Sequence, residues 1–74
     1  MAKQIVADRI KQLRLSAGLS QKAAAELLST SERQWQQYEY GTRTPAYEKL
    51  IALANLFQCS TDFLCGLTDD PTRK

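Results

Sequence analysis

Residues 20–41, SQKAAAELLSTSERQWQQYEYG, decide how the rest of the chain is read. Ser20 is placed to cap a helix from Gln21 to Leu28, rich in alanine (Ala23, Ala24, Ala25). Ser29, Thr30 and Ser31 break it, and a further helix runs from Glu32 to Glu39 or Tyr40, where Gly41 stops it. Two helices of about eight residues, joined by so short a break, meet at a steep angle instead of lying antiparallel. A small residue is needed where they cross, and Ala25 supplies it. Ala24, Leu28, Trp35 and Tyr38 are then placed to seal the pair onto a preceding helix.

That geometry is a helix-turn-helix, and the flanks supply its supports. Upstream, Val6, Ile10, Leu13 and Ala17 recur at helical spacing over Lys3 to Ala17, with Gly18 as stop and Leu19 as its apolar partner. Ser31-Glu32-Arg33-Gln34 reads as a capping box, the Ser31 hydroxyl and Gln34 amide satisfying opposite backbone donors. Downstream, Thr44-Pro45 begins a fourth helix that carries Tyr47, Leu50, Ile51, Ala54 and Phe57 inward. Ser60 caps a short fifth helix containing Phe63 and Leu64, closed by Gly66. No alternation typical of a strand occurs. The expected fold is all-α: a compact five-helix domain over residues 1–67, followed by a polar, frayed tail over 68–74.

Composition narrows the chemistry. The 74 residues suit one small domain, with 43% apolar and 24% charged residues. Net charge is 10 − 8 = +2, but it is unevenly spread. Residues 1–49 hold eight basic and five acidic side chains, while 50–74 hold two and three. Histidine is absent, which removes the commonest general base and zinc ligand. Cys59 and Cys65 lack the paired spacing of a zinc knuckle and read as small apolar residues in a reducing compartment. Gly18, Gly41 and Gly66 stand too far apart for a phosphate loop. No enzyme activity, metal or cofactor is expected. Without a span-length apolar run or a signal-like segment, the expected location is the cytoplasm.

The ordered set Arg9-Ile10-x-x-Leu13-Arg14, Gly18-Leu19-Ser20-Gln21, Ser31, Tyr38-Glu39-x-Gly41, Pro45, Leu53-Ala54 and Asp62-Phe63-Leu64-x-Gly66 resembles the lambda-repressor-like, Cro/XRE-type DNA-binding domains. The resemblance covers residues 6–66. It implies a lambda-repressor-like five-helix fold whose third helix enters the major groove, usually as a dimer on a palindromic operator. The chain departs from the family at the inter-helix turn, where Ser29 replaces the usual glycine. A left-handed serine there costs on the order of 1 kcal/mol. Thr30 and Trp35 stand where the family has Val or Ile, and Ala24 where it often has Leu, so Ala24 is expected to make room for Trp35.

On a helical wheel with Trp35 at 0°, Tyr38 falls near 300°, so the buried direction centres at about −30°. Arg33, Gln36 and Gln37 share the opposite side, flanked by Glu32 and Gln34. Arg33 can grip the major-groove edge of guanine, Gln36 or Gln37 that of adenine, and Glu32 can accept from cytosine, each good pair discriminating by roughly 1–3 kcal/mol. The resemblance assigns base contact to Glu32, Arg33 and Gln37. Gln21 and Lys22 at the start of the second helix, with Thr42, Arg43 and Thr44 from the flanking loop, are the candidates for phosphate contact. Arg9 and Lys11 are more remote ones. The resemblance also pairs Glu39 with Arg14 in a structural salt bridge joining the first and third helices.

The sequence therefore reads as a double-stranded-DNA-binding transcriptional regulator, expected to be a repressor. So short a reading helix suggests a homodimer on two half-sites roughly 34 Å apart. Its expected contact surface is the 42–47 loop with Thr61, Asp62, Phe63 and Leu67. Two alternatives stand beside this reading. An antitoxin or anti-repressor would turn the fold toward a protein partner, and a redox sensor would need an accessible thiol at Cys59 or Cys65.

Overall fold

The computed structural model describes residues 3–72, and among them there are five helices and no strand. The helices are α1 (Lys3–Ser16), α2 (Gln21–Leu27), α3 (Glu32–Tyr40), α4 (Tyr47–Phe57) and α5 (Thr61–Leu64). Serine hydroxyls start three of them. Ser20 Oγ accepts from the Ala23 amide at 3.0 Å, Ser31 Oγ from Gln34 at 3.1 Å and Ser60 Oγ from Phe63 at 3.1 Å. Such a cap stabilises a helix by about 1 kcal/mol, a large share for elements this short.

α2 and α3 pack on each other and α3 packs on α1. Ala24 and Ala25 are buried at the crossing, which lets the helices approach. Trp35 and Tyr38 go down into the core beside Val6, Ile10 and Leu53. The Trp35 ring meets Phe57 of α4 at 6.5 Å between centroids, tilted by 58°. This packing fixes the rotation of α3 about its own axis, and so which side chains it turns outward.

The turn holds the strain expected of it. Ser29 has φ +59°, in the left-handed region normally left to glycine. Gln58 does the same at φ +55°, closing α4. α3 ends on Gly41 at φ +79°, where the residue type suits the conformation.

Several sequence expectations need correction. α1 ends at Ser16 and Ala17 is exposed, because the chain is already turning toward Gly18. α2 ends at Leu27, with Leu28 as its cap. α4 starts at Tyr47, two residues after Pro45; the proline is buried in the approach to the helix, not in its first turn. Tyr47 is 74% exposed and Ile51 lies on the outer flank. The buried stripe is Leu50, Leu53 and Ala54 with half-buried Phe57, and Ile51 lies about 100° round the helix from Leu50. The capping box is half formed: the Gln34 side chain donates to Tyr38 Oη at 2.6 Å instead of reaching back to Ser31.

The segment after α5 makes contacts with the helices before it. Asp69 meets Arg9 at 2.7 Å, the Ser60 amide donates to the Pro71 carbonyl at 3.0 Å, and Asp70 accepts from the Thr72 hydroxyl and amide. Residues 68–72 thus form a strap along the start of α5. The rest of the expected tail, residues 73–74, lies outside the described residues.

Candidate nucleic-acid interface

Everything on the outer side of α3 follows from what lies beneath it. With Trp35 and Tyr38 buried, Glu32 and Arg33 are exposed and Gln36 and Gln37 half-buried on the opposite side. One guanidinium, one carboxylate and two carboxamides therefore share one strip. The Gln37 carbonyl accepts the amides of Thr42 and Arg43 at 3.1 and 3.3 Å and the Thr42 hydroxyl at 3.3 Å. That carbonyl pins the loop after α3; the Thr42 and Arg43 side chains are exposed and Thr44 is half-buried.

A second group of polar residues lies where α2 begins. Lys22 is exposed and Gln21 half-buried, and both line an open cleft with Lys11, Glu32, Glu39 and Tyr40. Tyr40, 65% exposed, is not among the candidates the sequence offers. The wheel already carried the signal, since a residue five positions past Trp35 falls at about 140°, on the outward side.

Under this cleft sits a buried ion pair. Arg14 Nε donates to Glu39 Oε2 at 2.5 Å and Nη2 to Oε1 at 3.2 Å, while Nη1 donates to the Leu19 carbonyl at 2.9 Å. The Trp35 indole N–H also donates to Glu39, and the Gln21 amide does so at 3.2 Å. Burial pushes the Glu39 carboxyl up. The hydrogen bonds from Arg14, Trp35 and Gln21 and the charge of Arg14 outweigh that, holding it below its ordinary value. The ion pair joins α1 to the end of α3. Gln36 then donates to Gln21 Oε1 at 3.3 Å, a link that sequence spacing did not suggest.

The expected contact surface between copies is only partly available. Asp62 is exposed, Thr61 half-buried and Leu67 78% exposed, but Phe63 is buried in the core. Phe63 is only 3% exposed and Arg9 lies over its ring face at 4.1 Å, so it has no free edge to offer. Cys59 is buried and Cys65 half-buried. Among the described residues, no group of three or more His, Cys, Asp or Glu side chains is arranged to hold a metal ion, and no helix is long and apolar enough to cross a membrane.

A helix-turn-helix domain model matches residues 5–63. The chain belongs to the helix-turn-helix family, in its Cro/XRE-type branch. Two Bacillus subtilis relatives are similar. The uncharacterized HTH-type transcriptional regulator YobD is 36% identical over 67 residues, covering 90% of this chain and 60% of the relative. The HTH-type transcriptional regulator ImmR is 39% identical over 66 residues, covering 89% of this chain and 51% of the relative. This chain thus spans little more than half the length of either. Among solved structures, the P22 c2 repressor in complex with a synthetic operator superposes with a TM-score of 0.77 at 31% identity, covering 82% of this chain and 92% of that one. The five-helix, lambda-repressor-like fold is the one expected from the sequence.

Proposed function

We propose that this protein is a sequence-specific double-stranded-DNA-binding transcriptional regulator, acting as a repressor, with α3 in the major groove. The observation that carries this is the outward strip of exposed Glu32 and Arg33 with half-buried Gln36 and Gln37, while Trp35 and Tyr38 anchor its helix from beneath. Arg33 supplies two donors for guanine, the two carboxamides supply the donor–acceptor pattern of adenine, and Glu32 supplies an acceptor for cytosine. Gln21, Lys22, Thr42, Arg43 and Thr44 flank the strip and hold the phosphates. The repressor–operator complex among the similar structures supports the assignment.

One α3 spans only a few base pairs, so the protein acts as a homodimer on a palindromic operator, with half-sites roughly 34 Å apart. The second copy takes the surface of the 42–47 loop, Thr61, Asp62 and Leu67, without Phe63.

Binding-site selection from a randomised duplex pool, followed by gel shift at fixed salt, tests this. The expected outcome is a two-fold symmetric site bound at least a thousand-fold more tightly than scrambled duplex, on the order seen for specific protein–DNA complexes. Equal binding of all duplexes rules it out.

A further inference from the structure

Gln36 stands at the outer end of a hydrogen-bond chain that begins in the core. The Glu39 carboxylate, buried against Arg14 at 2.5 Å, is ionised and can only accept. The Gln21 amide therefore turns its Nε2 toward it, at 3.2 Å. Gln21 Oε1 is left facing Gln36, which answers by donating its own Nε2 at 3.3 Å. An unconstrained glutamine amide can rotate by half a turn and exchange donor for acceptor. Here a charge two side chains away removes that freedom. Turning Gln36 over sets two amide oxygens against each other, and turning both glutamines sets an amide oxygen against the carboxylate.

We propose, resting on the DNA-binding function above, that Gln36 is a specificity-determining residue whose amide polarity is fixed from inside the protein by Glu39 acting through Gln21. Glu39 and Gln21 are positioning residues in this scheme. The locked amide keeps Oε1 as acceptor and one Nε2 hydrogen as donor for the groove. Adenine offers the complement, an N6 donor beside the N7 acceptor; guanine offers two acceptors, so its O6 meets Oε1 with like polarity. A free glutamine could turn and donate to guanine. Preference for adenine over guanine at this base pair thus originates in the core.

Site selection with the wild type, Gln36→Ala and Gln21→Met tests it. Gln36→Ala identifies the base pair concerned, by losing preference there alone. The wild type is expected to favour adenine over guanine at that position by about ten-fold or more. Gln21→Met, close in length but with no N–H to donate to Glu39 and only a weakly accepting sulfur toward Gln36, lowers overall affinity and cuts that one ratio several-fold. Ratios at the position read by Arg33 stay unchanged, which a merely structural defect would not allow. If Gln21→Met keeps the ratio, or Gln36→Ala alters no position, the proposal is overturned and the DNA-binding function stands. A wild type without any preference overturns both.

Side-chain amide NMR of the unbound protein decides the case in which Gln21→Met erodes every position together. The lock slows exchange of one Gln36 Nε2 hydrogen in the wild type and releases it in Gln21→Met. Fast exchange of that hydrogen in the wild type overturns the proposal.

Discussion

The guanidinium of Arg9 lies 4.1 Å from the centre of the Phe63 ring and reaches the Asp69 carboxylate at 2.7 Å. One side chain of α1 therefore covers the main apolar residue of α5 and holds the strap that follows it. The cation–ring contact is the stronger half, because Asp69 is fully exposed and its ion pair is screened by water. Arg9→Ala should destabilise the fold by about 1 kcal/mol, a fall in Tm of roughly 4–8 °C for a domain of this size. Asp69→Asn should leave Tm unchanged. Hydrogen exchange at the Ser60 amide, which donates to Pro71, reports the strap directly and should quicken in Arg9→Ala.

Ser29 and Gln58 hold left-handed conformations without being glycine. Ser29→Gly relieves that strain at an exposed site and should stabilise the domain by about 0.5–1 kcal/mol, measured as a higher midpoint in urea. Gln58→Gly should gain less, because its side chain donates to the Asn55 carbonyl at 3.0 Å and glycine loses that bond. Ser29→Ala keeps the positive φ and should not stabilise.

What could be read in advance was whatever local chemistry decides. Ser20, Ser31 and Ser60 cap helices because a hydroxyl at that position serves a nearby backbone donor. Gly41 stops α3 because glycine tolerates positive φ. Trp35 and Tyr38 define the buried side of α3 because a helix has one period. What could not be read was decided by partners distant in sequence. Phe63 is apolar wherever it lies, and its place in the core cluster with residues of α1 and α4, under Arg9, makes it core instead of contact surface. Tyr47 and Ile51 follow a helical spacing but miss the stripe set by where α4 packs. Gln36 reads from its own helix as a free base contact, whereas Gln21, from another helix, accepts a hydrogen bond from it.

Acid should loosen the fold through Glu39. Its carboxyl titrates lower in the folded chain than in the unfolded one. The stability it contributes is therefore fully present above the unfolded glutamate value and is lost as pH falls through the lower folded value. Unfolding free energy should be level near neutrality and decline below about pH 4.5, the ordinary value for this group. The Trp35 indole donates to the same carboxylate, so tryptophan emission should change along that acid limb. Glu39→Gln should flatten Glu39's share of it. Glu39→Ala leaves Arg14 buried and unpaired and should cost on the order of 3 kcal/mol, measured by urea unfolding at pH 7.

Base contacts and phosphate contacts should separate under mutation. Arg33 lies on the outer strip of α3, whereas Lys22 and Arg43 stand on the elements flanking it. A guanidinium that reads guanine contributes only on the correct sequence, while an ammonium on a phosphate contributes on any duplex. Arg33→Ala should cost about 1–3 kcal/mol on the selected operator, with a much smaller change on scrambled DNA. Lys22→Ala and Arg43→Ala should weaken both duplexes alike and lower the slope of log affinity against log salt by about 1 each, from the counterions no longer released. Gel shifts on the two duplexes across a salt series measure both quantities. Should Arg33→Ala leave the preferred sequence intact, base reading belongs to other residues of the strip. Should it weaken both duplexes equally, Arg33 is a phosphate contact.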